Sequence, residues 1–98
     1  MRFEWDEIKN RRNLKKHKIS FESAKLVFDD PQALSDLERE VDGEDRWKTV
    51  GVIGGSAIVV VAYKYRVEGD DEVIRIISAR KASPSERRAY GEGIWPLG

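Results

Sequence analysis

The chain is 98 residues long, the size of one domain and too short for two, and its 40% hydrophobic content suffices for one core. It has no cysteine, which excludes disulfides and thiolate metal ligands and suits a reducing compartment. Eighteen Lys and Arg balance eighteen Asp and Glu, so no net charge draws the whole molecule to an anionic partner. The longest apolar run, Ala57 to Tyr63, falls well short of the roughly 20 residues a membrane helix needs. The charged start Met1–Arg2–Phe3–Glu4 lacks a secretory pattern, so the expected location is the cytoplasm.

The overall balance conceals segregation. Residues 1–18 carry seven Lys/Arg against three Asp/Glu, residues 19–45 two against nine, and residues 46–98 nine against six. Such a chain can present a basic face to phosphates and an acidic segment elsewhere, although the same charges also serve simply to solvate a surface.

In chain order, Phe3–Glu4–Trp5 reads as a short strand and Asp6 as the N-cap of a helix over Glu7 to His17. Only Ile8 and Leu14 in that stretch are apolar, so the helix buries a narrow strip. Ser20 caps a second helix, Phe21 to Phe28, which Asp29–Asp30–Pro31 ends. Ala33 to Leu37 reads as a short strand, and Glu38 to Asp45 as an acidic, mobile connection. Three β-rich runs follow: Arg46 to Ile53, Ala57 to Arg66, and Glu72 to Arg80. Gly54–Gly55 marks a hairpin between the first two, and Glu68–Gly69–Asp70–Asp71 a looser turn before the third. The run Ile58 to Val61 is apolar on both sides, as in a central strand covered on both faces. In the third run, strict alternation puts Val73, Arg75 and Ile77 on one face and Ile74, Ile76, Ser78 and Arg80 on the other.

Ser83–Pro84–Ser85–Glu86 is a capping box with proline at the first helical position, opening a helix that runs to about Tyr90 and ends at Gly91. The expected organisation is one domain over residues 1–92, with 93–98 as a loosely ordered tail. The order β-α-α-β-β-β-β-α describes an α+β fold, an antiparallel β-sheet with helices packed on it.

One histidine, no cysteine and no carboxylates paired at helical spacing leave no candidate metal site, and no Gly-rich phosphate cradle is present. No cofactor is expected. What remains is basic chemistry. Lys9, Asn13 and His17 stand four residues apart on one helix face, a set able to grip phosphate and move a proton. Stabilisation of an imidazolium at a helix C-terminus, worth about 0.3–1 kcal/mol, accounts for His17 equally well. The sheet adds Arg46, Lys64, Arg66, Arg75 and Arg80. Arg75 interrupts an apolar face and so needs a carboxylate or a phosphate. Lys64 and Arg66 alternate with Tyr63 and Tyr65, cations interleaved with aromatics in a way that suits single-stranded RNA.

Several blocks together carry a family resemblance. They are Phe3–Glu4–Trp5–Asp6, Asn13–Leu14–Lys15–Lys16–His17, Ile19–Ser20–Phe21–Glu22 and Val27–Phe28–Asp29–Asp30–Pro31 in the first half. Gly43–Glu44–Asp45–Arg46, Ile74–Arg75–Ile76–Ile77–Ser78–Ala79–Arg80 and Glu86–Arg87–Arg88–Ala89–Tyr90 complete them. Over residues 2–92 the chain resembles the BrnT family of ribonuclease toxins. The resemblance implies a RelE-like fold and the toxin component of a type II toxin–antitoxin system. Such a toxin is a metal-independent endoribonuclease, neutralised by a BrnA-like antitoxin that binds DNA through a ribbon-helix-helix domain. RNA is then the substrate, and operator DNA is reached only through the antitoxin.

Cleavage by attack of the RNA's own 2′-hydroxyl needs a base, an acid, and cations for the charge that builds on phosphorus. The candidate catalytic residues are His17 and Lys9 for proton transfer and Arg46, Arg66 and Arg80 as phosphate clamps. Lys16, Lys64, Tyr65, Arg87 and Tyr90 are the candidate RNA contacts, with Tyr90 also able to stack or to act as an acid. The acidic stretch Asp36 to Asp45 is the expected surface for a basic antitoxin. The family commonly has glycine after the histidine, where this chain has Lys18; in a left-handed conformation lysine costs about 1–2 kcal/mol there. The alternative reading is a non-catalytic corepressor or interaction subunit that binds a ribbon-helix-helix partner.

Overall fold

The computed structural model describes residues 1–95. A short strand β1 (Arg2–Glu4) leads to Asp6, whose carboxylate accepts from the Ile8 and Lys9 N–H groups and starts α1 (Glu7–His17). The helix ends at Lys18, which is left-handed (φ 63°) and donates its N–H to the Leu14 carbonyl. Lysine therefore occupies a backbone conformation that suits glycine, at a cost of about 1 kcal/mol.

Ser20 caps α2 (Phe21–Ala24) by accepting from the Ser23 N–H. The expected single helix to Phe28 is corrected here, because the chain tightens after Ala24 into a 3₁₀ segment over Lys25–Asp29. The residues that must be buried, Phe21, Ala24 and Val27, recur every three positions and are all fully buried. That spacing matches three residues per turn, and the backbone follows it.

Four strands come next: β2 (Leu34–Val41), β3 (Glu44–Ile53), β4 (Ala57–Glu68) and β5 (Asp71–Lys81). The expected mobile connection over 38–45 is instead a hairpin between β2 and β3. Asp42 and Gly43, both at positive φ (52° and 78°), form its turn, the backbone that a two-residue turn between twisted strands requires. The turn before β5 is also tight, since Glu68 pairs with Asp71 around Gly69 and Asp70. The sheet order is β1-β5-β4-β3-β2, antiparallel throughout except for β1, which runs parallel to β5.

One sheet face is the helical face. Phe21, Ala24 and Val27 pack there on Val59, Val61, Tyr63, Ile74, Ile76 and Ala79, with Phe3, Trp5 and Phe28 alongside. The other face is only half covered. α3 (Pro84–Glu92) brings Tyr90 against Val50 and Val60, with Leu34, Ile58 and Ala82 in the same cluster. Its capping box is formed by Ser83 and Glu86 as the sequence predicts, but the helix runs two residues past Tyr90 before Gly93 closes it. In the segment 93–98, Ile94 donates its N–H to Ala89, Trp95 packs on the Val50–Val60 cluster, and 96–98 lie outside the described residues.

Strict alternation fails twice, in β2 between Leu37 and Arg39, where Glu38 is the extra residue, and in β5. The register with β4 steps from Ala62↔Ser78 to Tyr63↔Ile76, leaving Ile77 as an extra, bulged residue. Ser78 and Arg80 thereby change sides. They share the open face with Val73 and Arg75, while Ile74, Ile76 and Ala79 face the helices.

β1 covers β5 only at Val73–Arg75, so the outer edge of β5 beyond that point needs another partner. Asn13 supplies it. Its side-chain amide donates to the Ala79 carbonyl (2.8 Å) and accepts from the Ala79 N–H (3.1 Å), and it also donates to the Ile19 carbonyl (2.8 Å). Replacing Asn13 by Ala strands three buried backbone groups and is expected to lower unfolding free energy by about 3 kcal/mol in urea titration. A loss under about 1 kcal/mol would show that water substitutes for the amide. Lys18→Gly is expected to act oppositely, raising stability by about 1 kcal/mol in the same measurement.

Candidate nucleic-acid interface

The uncovered half of the open face is built by register. Arg39 of β2 lies opposite Arg46 of β3, Arg46 opposite Lys64 of β4, Lys64 opposite Arg75 of β5, and Arg75 opposite Glu4 of β1. Directly opposed residues have Cβ atoms about 4.5–5.5 Å apart, so four cations stand side by side across four strands. The next row toward α3 is Lys48, Ala62 and Ser78, a low floor with Ala62 buried, and Arg80 stands beyond it at the α3 boundary.

Most of these cations have a carboxylate. Arg66 donates to Glu4 and Glu68, each at 2.7 Å, and Arg75 stands 3.5 Å from the same Glu4 oxygen. Lys48 pairs with Glu38 at 3.4 Å. Arg80 makes a two-pronged contact with Glu86, at 2.7 and 2.9 Å. The hydrogen bond from Arg66 is the main reason that Glu4 is held below the usual carboxylate range, against the opposing effect of burial. Arg80's hydrogen bonds likewise hold Glu86 down, to about 2, with the Ser83 N–H assisting and burial opposing. Arg39, Arg46 and Lys64, three neighbours in the row, have no carboxylate partner among the described residues. The Arg46 Nε is moreover buried without an acceptor.

The structure thus brings Arg46, Lys64, Arg66 and Arg80 to one face. The other candidates lie off the cationic row, Arg87 and Tyr90 on α3 over the other half of that face and the rest away from it. Lys9, Lys16 and His17 ride on α1, which packs along β5 and α2. Asn13, expected to join Lys9 and His17 in gripping phosphate, is buried and committed to Ala79 and Ile19. Arg87 on α3 donates to the Ala82 carbonyl at 3.0 Å. Tyr90 donates its hydroxyl to Asp30 at 2.6 Å, and this bond, with burial, pushes the phenol up to about 12. Burial raises the Asp30 carboxyl, but the bonds from Tyr90, the Val52 N–H and the Gln32 N–H outweigh it and leave it lowered.

Tyr65 points to the helical face and donates to Glu72 at 2.8 Å. The interleaving of cations with tyrosines in β4 therefore separates them, because neighbours along a strand face opposite ways. Arg75 sits on the cationic row rather than in an apolar face, 42% exposed. Arg39 and Lys48 were not among the candidates. The Asp42–Gly43 turn was the available signal, since it pulls Arg39 into the sheet opposite Arg46. Among the described residues no three His, Asp or Glu side chains gather in a way that could hold a metal ion, and no helix is long and apolar enough to cross a membrane.

The chain is similar to known ribonuclease toxins. The family model for the ribonuclease toxin BrnT of type II toxin–antitoxin systems matches residues 5–86. The crystal structure of the Brucella abortus ribonuclease toxin BrnT superposes with a TM-score of 0.63 at 27% identity, covering 85% of this chain and 97% of that one. No curated protein matches the chain. The chain belongs to the BrnT family of toxins, whose systems pair a ribonuclease toxin with an antitoxin.

The Arg80–Glu86 contact makes a pH prediction. A carboxyl lowered on folding adds stability above its unfolded value, near 4.5, and loses it as pH falls through its folded value of about 2. Chemical denaturation followed from pH 6 to pH 2 is expected to show stability declining over that window. In Glu86→Gln this part of the decline flattens, and stability at neutral pH falls by about 1–3 kcal/mol. A variant profile parallel to wild type would remove Glu86 as the cause.

Proposed function

We propose that the chain is a metal-independent endoribonuclease whose RNA lies across the open sheet face, with the scissile phosphate at Arg46 and Lys64. The observation that carries this reading is the row Arg39–Arg46–Lys64–Arg75, of which only Arg75 stands beside a carboxylate among the described residues. Like charges placed directly opposite one another cost stability, and an anionic phosphate between them removes that cost.

The 2′-hydroxyl attacks the adjacent phosphorus and loses its proton to water, the P–O5′ bond breaks, and O5′ takes a proton from water, leaving a 2′,3′-cyclic phosphate and a 5′-hydroxyl. Arg46 and Lys64 offset the extra negative charge on the pentacoordinate phosphorus, and electrostatic stabilisation of this kind dominates catalysis in most enzymes. Arg66 and Arg80, fixed by Glu4 and Glu86, contact flanking phosphates from pre-set positions. Arg87 extends the phosphate track onto α3, and Lys9, Lys16 and His17 extend it along α1. Tyr65 and Tyr90 act structurally, since both hydroxyls are held by carboxylates. The domain that does this spans residues 1–92, works in the cytoplasm, and is silenced by a BrnA-like ribbon-helix-helix antitoxin through which operator DNA is reached.

The test is cleavage of a labelled RNA by purified variants in EDTA. Arg46→Ala and Lys64→Ala are each expected to slow cleavage by about 100-fold, the usual loss of a charge-stabilising donor. His17→Ala is expected to stay within about 3-fold, because α1 packs along β5 and α2 and not on the cationic row. The products are expected to carry 2′,3′-cyclic phosphate ends. A dead His17→Ala beside an active Arg46→Ala would move the chemistry to α1. Loss of activity in EDTA would end metal independence.

A further inference from the structure

The helical face, on the far side of the sheet from the cationic row, is also incompletely covered. Beside the 3₁₀ segment a cavity of about 390 Å³ is walled by Phe28, Trp47, Tyr63 and Tyr65, with Glu72 and Met1 on its lining. Phe28 and Tyr63 meet edge to face, with ring centroids 5.0 Å apart, so the wall is fixed rather than collapsible. The register sets Glu40 opposite Asp45 and Asp45 opposite Tyr65 on this same face.

Three carboxylates thus flank an aromatic pocket: Glu40, Asp45 and Glu72. Among the described residues none of them has a cationic partner; Glu72 accepts only from the Tyr65 hydroxyl. Met1 also lines the pocket, and its ammonium is held by Asp71 at 3.3 Å. Ring faces and carboxylates both attract cations, and a planar guanidinium satisfies both at once by stacking and by paired hydrogen bonds. The same carboxylates repel a polynucleotide.

We propose that this pocket receives an arginine side chain from a basic segment of a partner polypeptide, the antitoxin of the pair. Charge complementarity carries the choice of occupant. The strands that present cations on one side present acids and aromatics on the other, so a basic protein and an anionic RNA are sorted to opposite faces. The pocket is apolar at its floor and acidic at its rim, which matches the stem and the head of arginine. The proposal needs a protein partner, as the family implies, and does not depend on the cleavage chemistry.

The test follows the indole N–H signals of ¹⁵N-labelled full-length chain by NMR, with Trp5 and Trp95 as internal references for Trp47. Titration with a tetra-arginine peptide is expected to shift the Trp47 signal saturably and to leave Trp95 in place. In the double variant Asp45→Asn/Glu72→Gln the peptide is expected to bind about five-fold more weakly or worse, as loss of two exposed ion pairs predicts. The double variant is expected to cleave RNA at the wild-type rate, which separates failure of this proposal from failure of the nuclease reading. A Trp47 signal unmoved by the peptide, undiminished peptide binding in the double variant, or a Trp47 shift with a 2′-O-methyl RNA oligomer in its place would each overturn the assignment.

Discussion

The structure depends on one amide. β1 is three residues long and abandons β5 after Arg75, leaving an open strand edge that must find hydrogen bonds or water. Asparagine is suited to the position because its side chain carries a donor and an acceptor together, so Asn13 pairs with Ala79 as a strand residue would. A third bond, to the Ile19 carbonyl, ties the chain leaving α1 to the same point. The opposite flank is closed similarly. β3 extends past the start of β2, and Asp30 there accepts from the Val52 N–H while Tyr90 reaches the same carboxylate from α3. Two polar side chains thus finish the sheet and fasten helices to it from both faces.

The Asn13 clamp also has a bearing on charge. Ala79 lies just beyond the bulged Ile77 and just before Arg80, so the clamp fixes the strand where its alternation has been reset. Without the extra residue Arg80 would face the apolar core, where an arginine costs several kcal/mol unless paired. With it, Arg80 joins the open face and meets Glu86 of α3. Four of the cations on that face, Arg66, Arg75, Arg80 and Lys48, each stand beside a carboxylate. These pairs hold long side chains in place and dilute their mutual repulsion. Arg46 and Lys64, like Arg39 beside them, are left without a carboxylate and face an anion directly. Strain of this kind, tolerated in part of the face and offset in the rest, is typical of a binding surface.

What the sequence made legible followed from local chemistry. Asp6, the Ser83–Glu86 capping box and the valine-rich run of β4 each act over a few residues, and the elements they predict are found. Charge misled the reading of residues 38–45, where acidic side chains suggested a solvated loop although Asp42–Gly43 is a strong turn signal. Charged residues are compatible with an edge strand such as β2, which needs only one partner and gains protection from its charges. The bulge at Ile77 leaves no mark in composition or spacing, because an extra residue looks like any other until a partner strand shows the gap. For that reason Arg80 was legible as a candidate but its company was not, and Arg39 was lost with the strand that carries it.

The separation of two chemistries rests on β4. Tyr63, Lys64, Tyr65 and Arg66 alternate, so a slip of one residue would exchange the aromatic pocket and the cationic row. The apolar run Val59–Val61 cannot prevent such a slip, since it offers the same surface to both sides. The register must be set by features that tolerate a single alignment. Gly51 is one: a Cβ there would come within 2.6 Å of the Val27 side chain, so only this residue of β3 fits beneath the 3₁₀ segment. Gly54 and Gly55, both at positive φ, then hold β4 to β3 at the hairpin, and Asn13 holds β5 at the opposite side. The two faces of this sheet are therefore kept distinct by the glycines and the amide at its borders, and the ion pairs of Arg66 and Arg80 then fix side chains whose face is already chosen.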